Sequence, residues 1–372
     1  MKLHMDNQIK VLMLLPNLHV SNGVASYAIN YFRQLDHDEV QMDFVVYKNR
    51  KTPYAAEIEE AGSHVYVLPP LKNLPAHYKA CRELLKKGHY DIVHDNTLLI
   101  STPLMAEARR QNVPVRILHS HNSKLGETAR KEKRNAVFLP VLRRQANAYA
   151  ACSDLAAKAM FGAAEYTYIP NFIDADKFAF NPETRQRVRA QMGVADKKII
   201  TTVGRIAPQK NPFFAMDVFD RVADRIPDAE YWWIGSGALG QEISAYVKKK
   251  KHADRIRLLG DCSDVKELYQ AMDLFFLPSI FEGLPVTGIE AQAMGLPCVV
   301  SDNVTNEMVY TELVQYVSLN QSPEKWADII CRILYERKER RSYREELVNS
   351  VFSDVKAEAF LLKYYRTLLG RL

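Results

Sequence analysis

Glu282 and Glu290 are separated by seven residues within the stretch Leu274–Asp302, LFFLPSIFEGLPVTGIEAQAMGLPCVVSD. The run Leu274–Leu277 is continuously apolar, the pattern of a strand buried on both faces of a parallel sheet. Pro278 and Ser279 end it, and Glu282-Gly283-Leu284-Pro285 makes a turn. A helix is predicted from about Val286, with Pro285 where a missing N–H costs nothing. Gly295 and Pro297 stop that helix, and Cys298–Val300 begins the next strand. A helix start just past the C-terminal end of a parallel strand turns free N–H groups and the positive end of its dipole toward an anion. One carboxylate then stands beside the anion and the other reaches past it. Taken alone, the pair could equally be two solvated helix-end carboxylates.

Three other places could do chemistry with that anion. Arg205 and Lys210 share the short loop Gly204–Pro212 after the strand Lys198–Val203. Two fixed cations there can bind a diphosphate and stabilise it as it leaves; the alternative is plain surface charge. Asn22-Gly23 turns from the first strand, Lys10–Leu15, into a helix at about Ala25–Leu35, and Gly23 allows close approach of backbone to phosphate or is an ordinary turn. His119-Ser120-His121-Asn122 follows the strand Val115–Leu118, and a histidine at that lip faces the crevice where open α/β sheets bind ligands; the alternative is a polar loop with two surface histidines.

The segment Gly235–Gly240 is a literal GxGxxG ahead of a helix, with Asp254 and Asp261 downstream, so a dinucleotide site has to be weighed. It opens the second unit of its domain, and the basic loop precedes it while the glutamate turn follows. Several loops on one sheet edge speak against a nicotinamide site.

The chain is long enough, at 372 residues and 47% hydrophobic, for two domains. Net charge +6 and pI near 8.9 are too mild to imply nucleic acid and suit phosphorylated ligands or an anionic membrane surface. The five cysteines are scattered, which fits a reducing compartment and no metal site. No apolar run reaches the roughly 18–20 residues that span a bilayer, so a cytoplasmic protein, soluble or peripheral on the inner face of the cell membrane, is expected.

Strands and helices alternate throughout, which predicts parallel sheets covered by helices. Further strands are expected at Met42–Tyr47, His64–Leu68, Asp91–His94, Ala148–Ser153 (the last of the N-terminal half), Tyr231–Ile234, Arg255–Leu259 and Val314–Ser318. Helices are expected at Lys325–Arg341 and Val355–Leu372, and another capped by Ser263 or Asp264. Lys248–Lys251 reads as a solvated helix end. Lys124–Arg144 carries Lys124, Arg130, Lys131, Lys133, Arg134, Arg143 and Arg144 around the apolar Ala136–Leu142. Such a segment can lie on anionic lipid or be a solvated helix with a core-facing stripe.

With its flanks, PSIFEGLPVTGIEAQAMGLPCVVSD closely resembles the retaining glycosyltransferases of the GT-B fold in family 4. The VGR…QKN loop at 203–211, the Asp91–His94 DIVH strand and the YIPN segment ending at Asn171 resemble the same family. The resemblance implies an α/β GT-B architecture, two Rossmann-like parallel-sheet domains facing across a cleft. We therefore divide the chain into an acceptor domain at 1–172, a linker at 173–183 and a nucleotide-sugar domain at 184–354, with helix 355–372 packing back on the first. It also implies that Glu290 holds the nucleotide ribose and that Glu282 lies near the donor sugar and phosphates. Arg205 and Lys210 would bind the diphosphate, with backbone N–H groups near Gly23 and at Gly283, Leu284, Pro285 and Val286 around it. Val265 and its neighbours would frame the base. His119, or else His121, would lie beside the transferred sugar. Two departures stand out: one glycine at the first turn where the family often has two, and Phe172 where it usually has glycine.

The expected activity is retaining, metal-independent transfer from a nucleotide-sugar, by family frequency a UDP-sugar. The acceptor would be a glycan or lipid-linked oligosaccharide of surface polysaccharide assembly, and no cofactor is expected. Asp174-Ala175-Asp176 falls in the connector and reads as a helix start or turn instead of a metal site. The competing readings are a GT-B nucleotide-sugar epimerase and a non-catalytic nucleotide-sugar binder. A two-carboxylate glycosidase leaves the Arg205/Lys210 loop unexplained.

Overall fold

A computed structural model describes residues 8–20, 22–48, 51–262, 264–336 and 339–371. The chain divides into two compact units, Met1–Phe172 with Asp354–Leu372, and Ile173–Ser353.

The first unit is a seven-stranded parallel sheet. Its strands are β1 (Ile9–Leu14), β2 (Val40–Val46), β3 (Val65–Val67), β4 (Ile92–Asp95), β5 (Val115–Ser120), β6 (Ala148–Ala151) and β7 (Thr167–Tyr168), in spatial order β3-β2-β1-β4-β5-β6-β7. β1 is nearly all buried, as a run of Ile, Val, Leu and Met between two helical layers must be. One layer of its core includes Leu361, Tyr364 and Tyr365 from the final helix Ala357–Leu368. Ion pairs Arg366–Glu39 and Arg371–Asp91 hold that terminal segment on the sheet unit. Phe172, the residue standing for glycine, is buried edge-on against Tyr31 at 4.7 Å, and its carbonyl accepts from Asn30.

The second unit is a six-stranded sheet of β8 (Lys198–Val203), β9 (Ala229–Ile234), β10 (Ile256–Gly260), β11 (Leu274–Leu277), β12 (Cys298–Ser301) and β13 (Val314–Val317), in order β10-β9-β8-β11-β12-β13. Its core packs Trp233, Phe276 and Trp326 with the aliphatic face of the helix Pro212–Arg225. The chain winds outward from β8 through β9 to β10, then returns to the other side of β8 as β11. That reversal is the switch point where loops at the strand C-termini splay apart and leave a crevice. In the first unit the same reversal lies between β1 and β4.

Several expectations need correction. β6 ends at Ala151 because Ser153 caps the helix Asp154–Phe161, accepting from the Ala156 N–H. The two-residue β7 then completes the sheet. The helix expected at Lys325–Arg341 spans Pro323–Tyr335 with Ser322 as its cap, and positions 337 and 338 lie outside the described residues. Arg340, beyond it, donates to the carbonyls of Tyr269, Gln270, Met272 and Met294, and a short helix Arg344–Asn349 follows. Lys250 and Lys251 are not merely solvated: they pair with Asp217 and Asp224. Asp264 precedes the helix Val265–Ala271 without a side-chain capping bond, and Ser263 lies outside the described residues. Residues 173–183, read as a linker, group with the second unit, where the Asn181 N–H and the Ala179 carbonyl bond the side chain of Gln270 and the helix Pro182–Gln191 begins.

Candidate active site

β8 and β11 are hydrogen-bonded neighbours, so the loops that leave their C-terminal ends are forced together. The β8 loop makes a 3-10 turn, Pro208–Lys210, and Asn211 takes a left-handed conformation with φ 54° before the next helix. The β11 loop is the elbow 278–285, which enters the helix Val286–Ala293 without a side-chain cap. Ile280 N–H donates to the Gln209 carbonyl at 2.8 Å, and Gln209 Nε2 donates to Glu282 Oε2 at 3.0 Å. Lys210 Nζ stands 2.7 Å from Glu282 Oε1, with both side chains largely buried. The approach is close enough for a strong ion pair but off the hydrogen-bonding direction, so Oε1 has no directed donor. Arg205 is exposed and donates from Nη2 to Gln209 Oε1 at 3.5 Å, which places it beside this pair. The basic loop and the first glutamate thus form one charged locus.

Two more polar atoms on the elbow and the helix after it, Ser279 Oγ and Thr287 Oγ1, are buried without a hydrogen-bond partner among the described residues. Orphaned buried hydroxyls are uncommon and call for an explanation such as a ligand that completes them. Val286 opens the helix, while Gly283, Leu284 and Pro285 are buried in the turn before it.

Glu290 lies one turn further along. Tyr269, from the helix Val265–Ala271, donates its hydroxyl to Glu290 Oε2 at 2.9 Å and also contacts the Thr287 carbonyl at 3.1 Å. Burial raises the Glu290 carboxyl to about 7, only partly offset by that hydrogen bond. Burial first, and then the neighbouring Glu290, pushes the Tyr269 phenol well above its usual value. Sequence reasoning missed Tyr269; its signal was one tyrosine on the helix that starts at Val265. Val265 itself is half-buried at that helix start.

The first two glycines of the GxGxxG segment, Gly235 and Gly237, have a packing role, whereas a Cβ on Gly240 would meet nothing within 4 Å. A Cβ on Gly235 would lie 2.4 Å from the Gly204 carbonyl oxygen, and one on Gly237 would lie 2.3 Å from that of Ile206. The two loops are laced together by Ile206 N–H to the Ser236 carbonyl and Leu239 N–H to the Ile206 carbonyl. Asp261 accepts from the Ser236 N–H and hydroxyl, the reverse of a carboxylate held open for a ribose. Gly-Ser-Gly is what lets the arginine loop sit close to its neighbour. Asp174 accepts from the N–H groups of Asp176 and Lys177, and Asp176 pairs with Arg344.

In the first unit, Asn22 caps the helix Gly23–Gln34 by accepting from the Val24 and Ala25 N–H groups, so those amides are already engaged. Gly23 has no positive φ, and a Cβ there would meet nothing within 4 Å. Neither conformation nor protein packing demands glycine at this turn. The histidines cluster behind it. The rings of His119 and His121 lie with centroids 4.0 Å apart, tilted by 31°, and His119 Nδ1 lies 3.0 Å from His94 Nε2 and 3.3 Å from the Tyr27 hydroxyl. His94 Nδ1 meets the Tyr365 hydroxyl at 2.9 Å. Desolvation holds all three imidazoles neutral, lowering His94 and His121 to about 3 and His119 well below its ordinary value. His94 and Tyr365 were not foreseen as part of this cluster.

Comparison with known proteins identifies the family and the fold. The family model described as "Glycosyl transferases group 1" matches residues 184–347, and that described as "Glycosyltransferase Family 4" matches residues 21–177. The chain is 30% identical over 353 residues to the "Putative glycosyltransferase EpsF" of Bacillus subtilis (strain 168), with 92% of each chain covered. It is 26% identical to the Escherichia coli UDP-Gal:alpha-D-GlcNAc-diphosphoundecaprenol alpha-1,3-galactosyltransferase, covering 83% of each. Similar folds include Anabaena Alr3699/HepE in complex with UDP-glucose (TM-score 0.78, 18% identity, 98% of this chain and 100% of that one). Sucrose-phosphate synthase from Thermosynechococcus elongatus is another, with TM-score 0.81, 19% identity and the same coverage. The chain belongs to the family 4, group 1 type of glycosyltransferases and is a glycosyl-transferring enzyme of the GT-B fold.

Proposed function

We propose that the protein transfers a sugar, with retention and without a metal, from a UDP-sugar to a lipid-linked oligosaccharide or related glycan in surface polysaccharide assembly. The observation that carries this reading is the single locus made by Arg205, Lys210 and Glu282 at the switch point of the second unit. A diphosphate entering there meets two cations, one of them already fixed by Glu282. The UDP-sugar and the undecaprenyl diphosphate acceptor are carried over from the E. coli relative's name and the UDP-glucose in HepE. Glu290 takes the ribose hydroxyls, and the helix start at Val265 borders the base.

Breaking the sugar–phosphate bond leaves positive charge on the anomeric carbon and negative charge on the departing phosphate oxygens. Arg205 and Lys210 stabilise the latter, and the low dielectric around the buried Lys210–Glu282 pair strengthens that effect. The acceptor hydroxyl attacks from the face the diphosphate leaves, and its proton passes to a leaving phosphate oxygen. No protein nucleophile is required in this scheme. His119 and His121, neutral near pH 7, serve as hydrogen-bonding groups for substrate, not as electrostatic ones.

The test is incubation with labelled UDP-hexoses, with and without a lipid-diphosphate glycan, followed by product NMR. Transfer that keeps the anomeric configuration and persists in chelator supports the reading. Inversion, a chelator-sensitive reaction, or conversion of the donor sugar alone contradicts it, the last being an epimerase's signature.

A membrane-facing role for the basic segment rests on a separate observation. Its helix, Ala129–Arg143, buries Asn135, Leu139 and Leu142 and leaves Val137, Phe138 and Val141 exposed at 72%, 53% and 47%. Arg130, Lys133, Arg134 and Arg144, all exposed, share that side by helical spacing. Apolar side chains ringed by cations suit an anionic lipid surface, where a lipid-linked acceptor resides. The protein should co-sediment with phosphatidylglycerol vesicles at low salt, and Val137→Ser with Phe138→Ser should release it. Wild-type protein that stays in the supernatant ends the idea. No helix among the described residues is long and apolar enough to cross a membrane.

A further inference from the structure

We propose that Tyr365 and His94 are positioning residues that fix the tautomer of His119, so that its Nε2 presents a hydrogen-bond donor to substrate. The inference rests on the transferase reading only for what occupies the site; the tautomer itself follows from counting buried hydrogens.

The Tyr365 hydroxyl is buried in the first unit's core, and its one hydrogen-bond partner among the described residues is His94 Nδ1. A buried hydroxyl hydrogen without an acceptor is costly, so Tyr365 donates and His94 Nδ1 accepts. A neutral imidazole carries one hydrogen, which places that of His94 on Nε2. From there it points 3.0 Å to His119 Nδ1. His119 Nδ1 is then the acceptor, and its own hydrogen sits on Nε2.

The opposite assignment fails on the same count. If His119 Nδ1 and His94 Nδ1 were the donors, the hydroxyl hydrogens of both Tyr365 and Tyr27 would be left without acceptors. Tyr27 is also buried, and its only hydrogen-bond partner among the described residues is His119 Nδ1 at 3.3 Å. In the favoured arrangement Tyr27 donates as a second, longer contact to that nitrogen. His119 Nε2 is the cluster's one buried ring nitrogen with no partner among the described residues. The chain of donors therefore runs from the C-terminal helix through β4 to β5 and ends on an unspent N–H.

His121 is fixed the other way. Asn96 gives its amide hydrogens to the carbonyls of Leu14 and His94, so its Oδ1 accepts from His121 Nε2 at 2.8 Å. That leaves His121 Nδ1 the lone pair. With centroids 4.0 Å apart, the two tilted rings present one donor and one acceptor, a pairing that suits the hydroxyls of a sugar, each of which both gives and takes a hydrogen bond. A ligand group that offers only hydrogens would be refused by His119.

The test uses full-length protein with 15N-labelled histidine and long-range 15N–1H correlation spectra. His119 should be the Nε2–H form in the wild type. Tyr365→Phe should move it toward the Nδ1–H form and lower turnover about tenfold, the effect of one lost hydrogen bond, with donor KM little changed. His94→Gln, whose amide can accept from Tyr365 and donate to His119, should keep both spectrum and turnover, whereas His94→Phe should behave like Tyr365→Phe. A wild-type His119 in the Nδ1–H form, or a tautomer that Tyr365→Phe leaves untouched, overturns the relay; should a variant not fold, the wild-type spectrum decides alone. Spectra as expected from a protein that turns over no sugar nucleotide would keep the relay and remove the transferase reading. The converse result would do the reverse.

Discussion

Lys210→Ala should lower turnover by about 10²–10³-fold, the range for removing one preorganised group that stabilises a developing negative charge. Its effect on donor KM should be smaller, because the charge on the leaving diphosphate grows as the bond breaks. The substitution also strands Glu282, which is buried and faces Lys210 at 2.7 Å. An abandoned buried carboxylate costs about 3–5 kcal/mol of stability. The two effects separate in the double variant Lys210→Ala/Glu282→Gln. It removes the stranded charge and can still take the hydrogen bond from Gln209, so its melting temperature should recover while turnover stays low. Recovery of turnover along with stability would show that Lys210 only holds the elbow in place.

Glu290→Gln should weaken donor binding and, at alkaline pH, stabilise the protein. The native carboxyl is raised to about 7 by burial, against about 4.3 in an unfolded chain. Between those values the native state holds more protons than the unfolded one. Stability from this group is therefore fully present below about 4.3 and is lost as pH rises through 7. Glutamine, neutral throughout, should raise the melting temperature at pH 8, and the gap over wild type should narrow toward pH 5. Donor binding has the opposite trend. Only the ionised carboxylate accepts from both ribose hydroxyls, so wild-type affinity for UDP should fall about tenfold per pH unit below 7. Calorimetric titration at pH 8 and pH 6 checks it; an affinity indifferent to pH would separate Glu290 from the ribose.

The strands that carry the candidate site were legible because each is an apolar run bounded by strong punctuation. Lys198–Val203 runs into Gly204, and Leu274–Leu277 into Pro278. The GT-B fold and the transferase class were legible through the resemblance of the string around Glu282 and Glu290 to family 4 glycosyltransferases, while the residues alone gave only a helix start at a strand's C-terminal lip, a place for an anion. β7 was not legible: two residues carry no periodicity, and the ladder with β6 alone makes Thr167–Tyr168 a strand. The helix Arg344–Asn349 was lost for the same reason.

Partners supplied by tertiary packing were the least visible. Tyr269 reaches Glu290 across 21 residues, and Tyr365 reaches His94 across 271. No local pattern announces either. The GxGxxG string shows the converse, a motif whose spacing suggested ligand contact but whose first two glycines, Gly235 and Gly237, pack against the Gly204–Ile206 backbone. The basic helix was visible as composition, while the side of it that is buried, Asn135, Leu139 and Leu142, needed the fold.

A crystal structure of the protein with UDP decides whether the cationic loop and Glu290 hold one nucleotide. The diphosphate should lie within hydrogen-bonding distance of Arg205 and Lys210, with both ribose hydroxyls on the Glu290 carboxylate. UDP bound against Gly235–Gly240, or seated anywhere that leaves Lys210 and Glu282 paired only to each other and Glu290 bonded only to Tyr269, would contradict it.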